Sequence, residues 1–230
     1  MRVAIHQPQY LPWLGYLDKI SRADIFVFLD DAQFKKNEWQ NRNRIKTSQG
    51  WQWLTVPILH DFGQPINQVQ INNNENWRID HIKALEMNYR NAPYFNQYFD
   101  QFKKIYDQEW EKLSNLNCTI IESFLNILDI KTKIVLASAY NIATNQTQRL
   151  IDICKKVEAD TYIAGEGCAA YMDFALFAEN NIRVEVQKYQ HPIYPQQWEK
   201  TEKFISHLSA LDIIFNCGSE AKKIIINKTI

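Results

Sequence analysis

The chain opens with a short unbroken apolar run, Val3-Ala4-Ile5, stopped by the polar His6 and by Pro8, which predicts a buried strand over 2–5. Leu14, Leu17 and Ile20 then recur at helical spacing and predict a helix over 13–22, and the run ADIFVFL at 23–29 predicts a second strand ended by Asp30 and Asp31. A strand, helix, strand series of this kind makes a right-handed crossover between parallel strands. Residues 6–12 and Asp30 are therefore expected on one carboxyl edge of a sheet, where open α/β sheets bind ligands.

Farther along, WQWLTVPIL alternates large apolar residues and INQVQI does so more weakly, so both read as strands, the second at an edge. Residues 77–89 read as a helix with Ile82, Leu85 and Tyr89 on one side. Residues 96–129 carry two more helical runs, one with Phe99, Phe102 and Tyr106 and one with Ile120, Phe124 and Leu128. The segment 76–130 is thus a helical insertion or subdomain within a single domain spanning 1–230. A strand at 133–137, a helix at 144–157 and the strand TYIAG restore a β-α-β rhythm. A turn and helix in GEGCAAYMDFALFAENN, a last strand IRVEVQKY, and two short helices separated at Gly218 complete the pattern. The expected class is α/β: a mainly parallel, Rossmann-like sheet flanked by helices, with a helical insertion.

With 230 residues, 46% of them hydrophobic, the chain can bury a sizeable core, and its 26 basic and 26 acidic residues balance. Zero net charge argues against nucleic acid as a partner. Arg2 leads directly into the first strand, and no apolar run reaches the roughly 20 residues that span a bilayer. A cytoplasmic protein with neither leader nor membrane segment is the expectation. Cys118, Cys154, Cys168 and Cys217 form no CxxC pair and read as free, mostly buried thiols.

Several clusters carry candidate chemistry. In HQPQYLPWLGY, prolines stiffen the loop and a glycine allows close approach, so Gln7, Gln9, Tyr10 and Tyr16 are placed to contact a ligand. His6 is a base, a ligand anchor or a hydrogen-bonded loop residue. Asp30, at a strand end, suits a sugar hydroxyl, a metal, a proton or a turn cap. In KKNEWQNRNRIKT, Arg42, Arg44 and Lys46 alternate and project on one face if the segment is extended, where guanidinium groups clamp a phosphate or carboxylate, or are solvated. Gly165-Glu166-Gly167 before a helix starting near Ala169 is an anion seat or a plain turn. In YQHPIYPQQW, His191, Tyr194 and Gln196 suit sugar contact or a surface turn.

Together, HQPQYLPWLGYLDKI, RADIFVFLDDAQFKKNEWQNRNRIKT, WLTVP, YIAGEGCAAYMD, YQHPIYPQQW and LSALDIIFNCG resemble the WbqC-like family over nearly the whole chain. The resemblance implies work in bacterial O-antigen and related lipopolysaccharide gene clusters, on nucleotide-linked or lipid-linked sugars, including acyl or aminoacyl transfer to an amino sugar. It carries over His6, Gln7, Tyr10, Gly15, Tyr16, Asp30, Gln40, Asn41, Arg42, Gly165, Tyr171, Asp173, Tyr189, His191 and Gln196. Cys168 and Ala169 stand where further glycine is expected. By fold-level analogy, the first loop also echoes nucleotidylyltransferases whose loop ends in His-x-Gly-His, with Tyr16 in place of the last histidine.

The expectation is a transferase acting on a nucleotide sugar, with His6 as base, Asp30 orienting it or the sugar, and Arg42 with Arg44 on the diphosphate. Nucleotidyl transfer with Mg²⁺ on Asp30, and non-catalytic sugar-nucleotide binding, are the alternatives. No pattern specifies a cofactor or an oligomeric state.

Overall fold

The computed structural model describes residues 1–170, 172–199 and 202–226. In chain order it runs β1 (Arg2–His6), α1 (Leu14–Ser21), β2 (Ile25–Phe28), β3 (Arg42–Thr47), β4 (Gly50–Thr55), β5 (Ile58–Leu59), β6 (Gln70–Ile71), α2 (Trp77–Tyr89), α3 (Phe95–Tyr106), α4 (Leu113–Ile127), β7 (Lys133–Leu136), α5 (Gln146–Lys156), β8 (Thr161–Ala164), α6 (Phe174–Glu179), β9 (Arg183–Val186), α7 (Leu211–Cys217) and α8 (Ala221–Ile225).

Five strands form one sheet in the order β7-β2-β1-β8-β9, and every neighbouring pair is parallel. Strands buried on both faces read as continuous apolar runs, as the Ile-Phe-Val-Phe of β2 does. Successive residues still face opposite sides. Val3, Ile5, Ile25 and Val27 join Ile151, Ile153 and Phe177 beneath α5 and α6, whereas Ala4, Phe26 and Phe28 join Leu14 and Leu17 of α1 in a larger cluster. That second cluster also takes in Phe99 and Phe102 of α3, Phe124 of α4 and Phe215 of α7, so the helices between 76 and 130 share a core with one face of the sheet. The sheet is therefore α/β and Rossmann-like, with helices on both faces.

The INQVQI expectation is corrected in part. Ile66–Gln68 forms a single 3₁₀ turn, and only Gln70–Ile71 pairs as a strand, with Ile58–Leu59. The reason lies in its backbone groups, which are engaged elsewhere. Ile66 N–H donates to Ala32 O at 2.9 Å, Asn67 N–H to Asp30 O at 2.9 Å, and the Val69 carbonyl accepts from Leu113 N–H at 3.1 Å. Among the described residues no helix is long and apolar enough to cross a membrane.

Candidate functional site

The strand order creates a topological switch. The chain leaves β1 toward β2 and β7, then returns on the other side of β1 as β8 and β9, so the loops that follow β1 and β8 diverge at the carboxyl edge. A cavity of about 250 Å³ opens there, lined by His6 at the end of β1, Trp13 just before α1, Tyr16 in its first turn and Lys19 in its last, Gly165-Glu166-Gly167 after β8, and Gln187 and Tyr189 after β9. Glycine is needed at one of these corners. A Cβ on Gly15 would come within 2.2 Å of the Trp13 indole, so only glycine lets that ring lie across the first turn of α1. A Cβ on Gly165 or Gly167 would meet nothing within 4 Å, so these residues leave the cavity roomy.

The polar groups of the crevice are neutral or short of partners. His6 packs edge-on against Tyr16, with ring centroids 5.1 Å apart, and its Nδ1 lies 3.1 Å from Gln7 O. An Nδ1–H donated to that carbonyl leaves Nε2 as the acceptor. Burial, and then the charge of Lys19, bring the His6 pKa from 6.5 down to about 3, so the ring is neutral at physiological pH. Lys19 is only 4% exposed, and among the described residues its Nζ has one protein acceptor, Ile5 O at 3.3 Å. Burial lowers the Lys19 pKa from 10.5 to about 8. An ammonium carries three donors, so this one reaches the cavity with hydrogen bonds to give. The Tyr189 hydroxyl is buried without a partner among the described residues. Burial and the charge of Asp18 raise its pKa.

The family match spans nearly all of this architecture. The WbqC-like protein family matches residues 7–224. The chain belongs to the WbqC-like family. A curated relative is the uncharacterized protein Rv1507c of Mycobacterium tuberculosis, 38% identical over 224 residues, which cover 96% of this chain and 95% of that protein. No solved structure matches.

In this WbqC-like chain the crevice unites His6, Tyr16, Gly165 and Tyr189. Gln7 and Gln9 line an adjoining hollow that shares His6 with it. Other expected residues lie elsewhere. Asp30 is buried, and its carboxylate accepts from Ser138 N–H at 3.0 Å, Ser138 Oγ at 2.6 Å and Asn67 Nδ2 at 3.4 Å, tying the loop after β2 to the end of β7. It lines a different cavity, together with Phe28 and Cys118. Arg42 and Arg44 do project on one face of β3, but that face meets tryptophan rather than the crevice. The Arg42 guanidinium sits 4.3 Å from the Trp53 ring, and that of Arg44 lies among Trp39, Trp51 and Trp53 at 5.1–5.8 Å.

Tyr10 is fully buried, its hydroxyl 2.8 Å from His81 Nδ1 and also bonded to Tyr106. Asn41 donates from Nδ2 to Val56 O at 3.0 Å and fixes the foot of the hairpin. Gln196 is a buried hub that accepts from Lys46 Nζ at 3.0 Å and donates to Asp212 at 2.9 Å. His191 accepts at Nε2 from His207 N–H at 3.0 Å, and His207 stacks on Trp13 at 5.1 Å, so His191 supports the crevice wall from behind. The helix expected near Ala169 is a 3₁₀ turn, Glu166–Ala170, and α6 begins only at Phe174. Asp173 caps it by accepting from Leu176 N–H at 3.1 Å, which satisfies one of the amides at the helix start. Tyr171 lies outside the described residues. Of the four cysteines, all free, Cys118 is half-buried and the others are buried.

Sequence reasoning missed Lys19, Trp13 and Gln187. Lys19 lies three residues after Tyr16, which places both on one helix face, and that spacing was the available signal. Leu17 and Ile20 drew attention to the apolar face instead.

Proposed function

We propose that this WbqC-like chain is a transferase that modifies a nucleotide-linked sugar for bacterial surface polysaccharide assembly, with the switch-point crevice as its active site. The observation that carries the reading is Lys19, a buried ammonium with a single long protein contact at the cavity where doubly wound sheets receive phosphorylated ligands. A diphosphate supplies the acceptors it lacks. Lys19 takes over the role that the alternation of Arg42 and Arg44 suggested. The open Gly165 and Gly167 give the ligand room, and the Tyr189 hydroxyl gains a partner. Next to the diphosphate, His6 Nε2 accepts the proton of the sugar amine or hydroxyl as that atom attacks the carbonyl carbon of an acyl thioester, whose C–S bond breaks and whose sulfur leaves as the thiol, taking back that proton.

The coupling between the two residues has a direction. A base near pKa 3 is weak, but Lys19's charge is part of what holds it down. A bound dianion offsets that charge and raises His6, so the base strengthens when the substrate arrives. The low basicity of the empty site also favours a second reading, a non-catalytic sugar-nucleotide-binding protein. Nucleotidyl transfer through Mg²⁺ on Asp30 is less favoured, because three donors already occupy that carboxylate.

The test is a thermal-stabilisation panel of UDP-, dTDP- and GDP-sugars, ATP with Mg²⁺, and acyl-CoA. A ligand at 100-fold its dissociation constant adds about 2.7 kcal/mol. A nucleotide sugar is expected to stabilise most, with the effect lost in Gly165→Val. If only ATP with Mg²⁺ stabilises, the reading fails. Single-turnover rates then separate the two sugar-binding readings. His6→Asn should lower turnover by about 10²- to 10⁴-fold, and binding without turnover in the unaltered protein leaves the non-catalytic one.

A further inference from the structure

A second hollow shares His6 with the crevice but not Lys19, and has a different chemistry. It measures about 230 Å³ and is lined by His6, Gln7, Gln9, Lys35, Glu38, Trp39 and Gln40. Gln40 Nε2 donates to Gln7 Oε1 at 2.8 Å, and Gln40 Oε1 accepts from Lys35 N–H at 2.9 Å, so one amide relay stiffens the wall. Gln9 stands outside that relay. It is 6% exposed, and its Oε1 is buried with no hydrogen-bond partner among the described residues. A buried acceptor left unpaired costs about 1–3 kcal/mol, a cost that persists where a ligand donor completes the bond. Trp39 is half-buried at the same hollow. The only charges in the lining, Lys35 and Glu38, are exposed and of opposite sign.

We infer that this hollow seats the sugar ring of the substrate, a single neutral pyranose whose hydroxyls pair with Gln9 and Gln7 and whose C–H face lies on the Trp39 indole. Amides both donate and accept, as hydroxyl pairs require, and the balanced rim charges give a phosphate no seat here. The volume falls below the roughly 300–1,000 Å³ of sites for drug-sized ligands, which suits one ring. His6, shared by both cavities, then stands between the sugar and the diphosphate. The assignment of the ring to the same ligand as the diphosphate rests on the transferase reading. The binding of a ring does not.

The experiment uses two probes on the full chain. Methyl glycosides of glucose, galactose and N-acetylglucosamine at millimolar concentration, read by saturation-transfer NMR, report on the hollow. UDP, read by thermal shift, reports on the crevice. At least one glycoside is expected to bind, and Trp39→Ala and Gln9→Leu should each weaken it at least ten-fold while the UDP shift stays as in the unaltered protein. Gln9→Leu should not lower the melting point of the free protein, since it removes an orphaned acceptor. Lys19→Met should show the converse, losing UDP and keeping the glycoside. No glycoside signal, or variants that bind as tightly as the unaltered protein, or a glycoside displaced by UDP, would each overturn the sugar seat. If the glycoside behaves as expected and UDP does not bind, the seat stands and the nucleotide half of the proposed function falls.

Discussion

Lys19→Met is the most informative single change, because it should make the free protein more stable while removing its ligand. Burial takes the ammonium's pKa from 10.5 to about 8. At about 1.4 kcal/mol per pH unit this amounts to about 3 kcal/mol of folded-state cost below pH 8. The variant gives up one hydrogen bond to Ile5 O at 3.3 Å, a loss of about 1 kcal/mol, and methionine keeps most of the apolar stem. The net gain is about 2 kcal/mol, or a midpoint higher by about 4–8 °C in a chain of this size. The sign carries a pH signature. Because the folded pKa lies below the unfolded one, the unfolded chain binds more protons between about pH 8 and 10.5, and the wild-type protein recovers stability as pH rises through that window. The gap between variant and wild type should therefore be widest below pH 8 and close toward pH 10.5. Denaturant melts of both proteins from pH 6 to 11 measure it, with UDP stabilisation at pH 7 as the companion readout. A variant less stable than wild type at neutral pH, or a gap that ignores pH, would refute the claim that Lys19 is held in the site at the fold's expense.

Two further outcomes follow from the same geometry. His6, brought down from 6.5 to about 3, leaves the unfolded chain with more bound protons between those values, so wild-type stability should fall as pH drops through that window; His6→Asn should flatten that part of the pH profile, and an unchanged slope would count against a buried neutral ring. Asp30→Ala strands Ser138 N–H and Oγ and should cost about 3 kcal/mol in urea melts with UDP binding intact, whereas full stability combined with lost turnover would return Asp30 to the catalytic machinery.

The sheet was legible because its signal is local: the apolar runs at Val3-Ala4-Ile5 and Ile25–Phe28 and the helical spacing of Leu14, Leu17 and Ile20 need no distant partner to be read, and the crossover rule does the rest. Site legibility followed the same limit. His6 and Gly165 terminate β1 and β8, and strand ends at a switch point are where fold logic puts ligands. Arg42 and Arg44 misled for the opposite reason. Alternation fixes that two side chains share a face but says nothing of what that face meets, and here the partner is the row of Trp51 and Trp53 on β4, set by a hairpin register that pairs Arg44 with Trp53. Asp30 and Gln196 were illegible in kind, since a buried carboxylate and a buried amide look alike in sequence whether their partners are Ser138 and Asp212 or a substrate.

That contrast sorts the polar residues of the chain by one criterion, whether their hydrogen bonds close within the protein. Those of Asp30, Asp173 and Gln196 are met by protein partners that tie loops and a helix cap. Among the described residues, Lys19, the Gln9 carbonyl and the Tyr189 hydroxyl have bonds left to make at the two cavities that meet at His6, while other buried atoms left open, such as Asp18 Oδ1, Asn41 Oδ1 and Asn117 Oδ1, belong to residues outside those linings. Open bonds at buried groups cost folding free energy. At the switch point of the doubly wound sheet, the proposed ligand would bring its anionic end to Lys19 and a hydroxyl-bearing end to Gln9, closing bonds on both sides of His6.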